Sequence, residues 1–291
     1  MTRLSQGAVT RSSRSFSEQA VRVAAARAVF ERHGVTVNPE SELARLMVAA
    51  EALADRDLTR PIESQAEFDQ MLQAAHFDRL SDAILLLDDQ LAPAHHLRRL
   101  TAHSLDFMNV RAPSPAKDAF WEFELWEKIK RRHANTTLAE PDIVVATDAG
   151  ELPVACKKIY ALKAAETRLR KGMHQLARFN GVGVVAINID DLVTRSQVLR
   201  HTTADALGAA MENVTLEFFN RNGAQLQQYF ERGRVSAAAV SLTLFAEFTE
   251  DSPRFNYMHQ LTVLVSRHAQ SSVRARLDIL ASSMGARIEG I

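Results

Sequence analysis

The stretch that decides the fold is a pair of adjacent segments, Pro141-Asp-Ile-Val-Val-Ala-Thr147 and Glu151-Leu-Pro-Val-Ala-Cys-Lys-Lys-Ile-Tyr160. Both segments are rich in the β-branched and apolar residues that favour strands. Asp148-Ala-Gly150 between them has the composition of a tight turn. Because two such runs joined by a short turn become antiparallel neighbours, the sequence predicts a β-hairpin.

The hairpin is expected to sort its polar residues, because side chains alternate between the two faces of a strand. Asp142 is predicted to lie on the face opposite Ile143, and Lys157 on the face opposite Cys156. The Asp142 carboxylate and the Lys157 ammonium can therefore converge on one side of the sheet. The structural alternatives are that Asp142 closes the hairpin by hydrogen bonding and that Lys157 ends a strand in solvent.

The sequence around the hairpin alternates between helix and strand. Helical patterns cover 117–133, about 162–179, 203–220 and 267–284, and strand patterns cover 181–190, 236–248 and 258–266. This alternation predicts an α/β fold with a mixed central sheet flanked by helices.

The first third of the chain has helical patterns alone. They cover 16–32, a segment starting at Asn38-Pro39, 65–76, 80–91 and 93 to about 108. Arg111-Ala-Pro-Ser-Pro115 interrupts helix twice, so we expect a helical N-terminal region, 1–110, and a second domain, 111–291. The Arg- and Ser-rich residues at the start fit a polar lead-in, with a transit peptide as the alternative.

Composition excludes several classes of protein. Lys plus Arg and Asp plus Glu number 35 each, so any nucleic-acid affinity must come from local patches rather than from net charge. The single cysteine, Cys156, excludes an internal disulfide framework and a cysteine-rich zinc site. We find no apolar run of the roughly 18 residues that a membrane span needs, and we expect a cytoplasmic protein that does not bind membranes.

The segment 120–190, about 70 of the 291 residues, resembles the PD-(D/E)XK, or restriction-endonuclease-like, nuclease superfamily. The matching residues are Pro141-Asp142, Val154-Ala-Cys-Lys-Lys158 and the acidic helix around Phe123-Glu-Leu-Trp126. The resemblance implies a restriction-endonuclease-like core and a metal-dependent phosphodiesterase that acts on DNA or RNA. It also implies a Mg²⁺ or Mn²⁺ cofactor, because carboxylates anchor such ions and the ion activates the attacking water.

The resemblance assigns roles to individual residues. Asp142 would bind the metal, Lys157 would orient the water and offset developing charge, and Glu124 is the best match for the helix glutamate, ahead of Glu122 and Glu127. The family's second acidic residue should stand at Ala155, and alanine cannot bind metal. Either Glu166 on the following helix substitutes for it, or the protein is a catalytically inactive, nucleic-acid-binding or sensor module on the nuclease scaffold.

The helix at about 162–179 has a basic side that could follow a phosphate backbone. The predicted nucleic-acid-binding residues are Lys158, Lys163, Arg170, Lys171, Gln175 and Arg178. An ordinary solvated helix face is the alternative. The expected partner is nucleic acid, with DNA favoured over RNA, and a homodimer or a protein partner of the helical region is left open. A purely structural or interaction protein is the third option.

Overall fold

A computed structural model gives the structure of the chain. The residues it describes are 2–4, 9–11, 14–57, 59–108, 112–179, 182–193, 199–233, 235–250, 254–267, 269 and 271–283.

The described residues form eight α-helices and nine β-strands. The helices are α1 (Phe16–Arg32), α2 (Glu42–Ala52), α3 (Gln65–Leu87), α4 (Pro93–Thr101), α5 (Pro115–Lys130), α6 (Ala165–Leu176), α7 (Ala204–Glu231) and α8 (Ser271–Ser283). The strands are β1 (Thr2–Leu4), β2 (Val9–Arg11), β3 (Thr136–Ala139), β4 (Asp142–Thr147), β5 (Gly150–Lys158), β6 (Val184–Asn188), β7 (Arg200–His201), β8 (Ala237–Phe248) and β9 (Phe255–Val265).

The strands form one mixed sheet in the order β1-β9-β8-β6-β5-β4-β3, with β2 also paired to β9 and β7 to β8. The hairpin of β4 and β5 is antiparallel, and β5, β6 and β8 run parallel. Parallel neighbours need a crossover connection, and α6 and α7 supply the two crossovers. The predicted α/β fold with a mixed sheet and an N-terminal helical region is confirmed.

Each face of the sheet is covered by helices. On one face, Ile143, Val154 and Ala186 pack into a core shared with α1–α5 and α8. On the other face, Ala155 and Val185 pack under α6 and α7. The alternation within β5 therefore turns neighbouring residues toward different layers, as the period of a strand requires.

The helical N-terminal region shares its core with the sheet. One buried apolar cluster contains residues of α1, such as Phe16, and of α8, such as Leu280. Strands β1 and β2 were not predicted; each has three residues and pairs with β9. The predicted domain boundary between residues 110 and 111 lies outside the described residues.

Several helix limits differ from those expected. The predicted helices 65–76 and 80–91 form one helix, α3, which is continuous because the charged residues at its centre are paired inside the protein. It ends at Leu87, four residues earlier than expected. Helix α2 is capped by Ser41 instead of Asn38, and α4 ends at Thr101. Among the residues described, no helix is both long and apolar enough to cross a membrane.

Candidate active site

Asp142 and Lys157 meet at the open end of the hairpin, away from its turn. Lys157 Nζ lies 3.1 Å from Asp142 Oδ2. The pairing of β4 with β5 stops at Ile143 and Val154, although β5 continues to Lys158. Just past the last pair, Asp142 Oδ2 accepts a 2.6 Å hydrogen bond from the backbone N–H of Cys156. The convergence predicted from strand alternation is therefore present, with the carboxylate also closing the strand pairing.

Helix α6 holds both side chains of this pair. Gln175 Nε2 donates to the Pro141 carbonyl oxygen at 3.1 Å and lies 3.5 Å from Asp142 Oδ1. Gly172 lies directly over Lys157, where an added Cβ would be 3.2 Å from Lys157 Cγ and 2.7 Å from Val185 Cγ2. The absence of a side chain at Gly172 thus lets α6 approach the sheet and confine the lysine stem.

The acidic residue that α5 contributes here is Glu122. Its carboxylate is buried and receives two hydrogen bonds from Arg99, at 2.7 and 2.6 Å. Burial raises the pKa of Glu122, and the negative charge of Asp142 raises it further, whereas Arg99 and Lys157 oppose the shift. Burial also raises the pKa of Asp142, against the attraction of Lys157. The two carboxylates are therefore close enough to influence each other's protonation.

Glu124, which the resemblance matched to the metal site, lies in a different cluster. Arg79 binds both of its oxygens, at 2.9 and 2.6 Å, and Lys128 lies 3.1 Å from Oε1. Arg79 also binds Asp190 at 2.9 Å. Although burial alone would raise it, the two cations hold the pKa of Glu124 well below its usual range. Residues two apart on a helix point about 200° away from each other, so Glu122 and Glu124 cannot serve the same site.

Two other residues that the sequence assigned to the site, Lys158 and Glu166, lie away from the Asp142–Lys157 pair. Lys158 is buried, and its Nζ binds Asn188 Oδ1 at 2.7 Å and Asp191 Oδ2 at 2.8 Å, so it does not reach a nucleic-acid surface. Glu166 is exposed in the first turn of α6. It precedes Gln175 by nine residues, about 14 Å along a helix. It is therefore too far away to replace the carboxylate missing at Ala155.

The remaining basic residues divide by their position around α6. Lys163, Arg170, Lys171 and Arg178 are exposed. Lys171 lies four residues before Gln175 on α6, on the side nearest Asp142. Arg178 lies in the 3-10 turn that follows α6, and its pair with Glu140 places it near the same carboxylate. Arg170 lies farther around the helix. The strip next to the candidate site is thus Lys171, Gln175 and Arg178.

The oxygen atoms that could hold one magnesium ion here are few, and each has a hydrogen-bond partner in the structure. The donors are the carboxylates of Asp142 and Glu122 and the carbonyl oxygen of Cys156, which accepts a 2.5 Å hydrogen bond from Lys157. Within the described residues, no group of three or more His, Cys, Asp or Glu side chains could hold a metal. One or two carboxylates suffice for Mg²⁺, because this ion keeps several of its waters.

Ala155 and Cys156 supply no further metal ligand or nucleophile. Ala155 is fully buried in the core under α6, where a carboxylate would have to displace packed apolar groups. Burial raises the pKa of Cys156 well above its usual value, and the charges of Asp142 and Glu122 act in the same direction. Since the thiolate is the reactive form, Cys156 is a poor nucleophile.

Sequence reasoning missed Arg99 and Gly172 and preferred Glu124 to Glu122. The available signal for Arg99 was its place in α4, a helix with two adjacent arginines and a strongly amphipathic pattern. No protein-family model, no curated protein and no solved structure matches this chain.

Proposed function

We propose that the protein is a metal-dependent phosphodiesterase of the nuclease type, acting on DNA or RNA. The observation that carries this proposal is the contact of Lys157 Nζ with Asp142 Oδ2, 3.1 Å, at the end of a hairpin beside the buried Glu122. The order of α5, hairpin, α6 and parallel β6 is also what a restriction-endonuclease-like core would require.

The chain's own residues supply distinct parts of the chemistry. Asp142 and Glu122 would hold Mg²⁺ or Mn²⁺ through their oxygens, and the ion would polarise the phosphate and acidify a bound water. Lys157 is positioned to orient that water and to offset the charge that develops on the phosphate. Gln175 keeps Asp142 in place through its hydrogen bond to the Pro141 carbonyl.

The strip of Lys171, Gln175 and Arg178 is suited to a phosphate backbone that passes the pair. Lys171 is exposed, and Arg178 Nη1 lies 3.6 Å from Glu140 at the surface, where an exposed ion pair contributes little and exchanges easily. Phosphate contacts of this kind position nucleic acid without reading its sequence. The expected binding is therefore salt-dependent.

A cleavage assay tests the proposal. Plasmid, single-stranded DNA and single-stranded RNA are incubated with the protein in Mg²⁺ and in Mn²⁺. We expect cleavage of at least one substrate, and a loss of about 100-fold or more in Asp142→Asn and in Lys157→Met. Glu217→Gln and Arg221→Gln, on the exposed side of α7, are matched controls and should cut normally. Equal cutting by the native protein and both site variants would overturn the proposal.

Two observations favour a second candidate, a nucleic-acid-binding module without turnover. The position expected to carry a second acid is Ala155, and both oxygens of Glu122 are already bound by Arg99. This candidate predicts salt-sensitive binding with intact substrate in either metal. It is supported if Lys171→Ala and Arg178→Ala weaken binding while no preparation cuts. Failure to bind any DNA or RNA at low salt would reject both candidates.

A further inference from the structure

An arginine from the helical N-terminal region enters the candidate active site. Arg99 on α4 places Nη1 2.7 Å from Glu122 Oε1 and Nη2 2.6 Å from Glu122 Oε2. Its guanidinium carbon also lies 5.0 Å from the centroid of the Phe123 ring. A two-pronged hydrogen bond together with stacking fixes the plane of a guanidinium.

Arg99 is part of the charge balance of the site. Arg99 and Lys157 provide two positive charges, and Glu122 and Asp142 provide two negative charges. Asp142 as well as Glu122 interacts electrostatically with Arg99. A carboxylate as deeply buried as Glu122 needs a cation beside it to stay ionised. Arg99 is the cation that hydrogen-bonds to Glu122, and Lys157 acts on it from farther away.

A divalent ion at Glu122 would have to compete with Arg99, because the arginine occupies both carboxylate oxygens. The geometry allows an exchange. The Glu122 side chain is 8% exposed, whereas the Arg99 side chain is 32% exposed and reaches solvent at the edge of the site. Adding a divalent ion and a phosphodiester to a balanced cluster brings two positive charges and one negative charge. A released arginine would then lie beside a phosphate that it can bind with the same fork.

We propose that Arg99 is a positioning residue that pairs with Glu122 until a divalent ion displaces it. The released Arg99 side chain then binds the substrate phosphate. This proposal rests on the proposed function, since it takes Glu122 as a metal ligand. It makes the helical N-terminal region part of the active site. The competing explanation is a fixed clamp, in which Arg99 joins α4 to α5 and never releases Glu122.

Metal binding without nucleic acid separates these explanations. The affinity for Mn²⁺ alone is measured by titration calorimetry for the full chain and for Arg99→Gln, Arg99→Lys, Asp142→Asn and Arg98→Ala. Arg99→Gln keeps one hydrogen bond to Glu122 but removes the competing charge. Arg99→Lys keeps the charge but loses the fork, and it carries the test if the glutamine variant does not fold. Arg98 is the exposed neighbour on α4 and serves as the control.

We expect Arg99→Gln to bind Mn²⁺ about tenfold more tightly or better, because a charge-assisted pair no longer competes. Arg99→Lys should shift the affinity in the same direction by less, and Arg98→Ala should leave it unchanged. In Ca²⁺, Arg99→Gln should bind a labelled DNA duplex about tenfold more weakly. Tighter Mn²⁺ binding with unchanged DNA binding would overturn the phosphate-binding step.

The outcomes also separate this inference from the proposed function. If Asp142→Asn abolishes Mn²⁺ binding while Arg99→Gln leaves it unchanged or weaker, Arg99 is a clamp and the proposed function stands. If neither the native protein nor Arg99→Gln binds Mn²⁺, the metal site and the exchange are both rejected. If Asp142→Asn binds Mn²⁺ as the native protein does, the ion lies elsewhere and the proposed function fails.

Discussion

Arg79→Met gives the sharpest prediction about stability, because it removes the central cation of the ion cluster that ties α3 to α5. Arg79 makes three charge-assisted hydrogen bonds, two to Glu124 and one to Asp190, and both Arg79 and Glu124 are almost completely buried. Removing one partner of a buried ion pair costs about 3–5 kcal/mol, since it leaves charge buried without compensation.

The expected loss of stability lies in the lower part of that range, because both carboxylates keep another partner. After the substitution, Glu124 still has Lys128 at 3.1 Å, and Asp190 still accepts a 2.7 Å hydrogen bond from the backbone N–H of Thr243. We therefore expect a loss of about 3 kcal/mol in the free energy of unfolding at neutral pH. Methionine has a similar length and is apolar, so little of this loss comes from an empty cavity.

The same substitution should change the dependence of stability on pH. In the native protein the pKa of Glu124 is held below its unfolded value. The stability that this shift contributes is present above the unfolded pKa of about 4.3 and is lost as pH falls toward the folded pKa. Arg79→Met removes the larger part of that contribution, because Lys128 remains beside Glu124. The difference between variant and native protein should therefore be largest near pH 7 and should shrink below about pH 4.3.

Urea unfolding, followed by the fluorescence of the buried Trp121 and Trp126 on α5, measures the difference. Urea is preferable to guanidinium because it does not screen charges. Arg27→Met is the matched control, because Arg27 pairs with Glu51 on exposed surface, where a pair contributes about 0–1 kcal/mol. A loss in Arg79→Met no larger than that in Arg27→Met would refute the reasoning.

Three further predictions follow from the geometry. Gly172→Ala should lower the free energy of unfolding by up to about 2 kcal/mol, because contact with Val185 Cγ2 and Lys157 outweighs the gain in helix propensity; unchanged stability in urea would show that α6 can move away. Burial and Lys128 lower the pKa of His259 to about 3, so the unfolded chain binds a proton that the folded protein excludes between about pH 3 and 6.5, and native stability should rise with pH there. His259→Asn should remove about 1.4 kcal/mol per pH unit from that slope, and an equal slope in both proteins would contradict the assignment. Finally, Cys156 should react with a thiol reagent at pH 8 far more slowly in the native protein than in urea, and equal rates would argue against a raised thiol pKa.

The hairpin and its charge pair could be predicted because the signals are local. Strand alternation and a short turn determine which side chains share a face, and β4 and β5 are neighbours in sequence. The limits of α1 were also predictable, since Gly34 takes a positive φ just after the helix. By contrast, β1, β2 and β7 are two or three residues long and pair with strands far away in the chain.

The choice between Glu122 and Glu124 could not be made from the sequence. Helix α5 is buried nearly all round, so its apolar pattern does not identify one face that turns toward the hairpin. The choice depends on which cation each glutamate meets, and both cations, Arg79 and Arg99, come from the N-terminal helices. Lys158 presents the same problem, because its partner Asn188 ends the next strand, β6, and its partner Asp191 follows that strand.

A double-mutant cycle on the cleavage rate tests most directly whether Asp142 and Lys157 form one catalytic unit. Single-turnover rates in Mg²⁺ are measured for the native protein, Asp142→Asn, Lys157→Met and the double variant. Residues that act as a unit are strongly non-additive, so the double variant should be about as slow as the slower single variant. Losses that multiply would indicate two independent contributions, and cleavage by the double variant at the native rate would contradict the central claim.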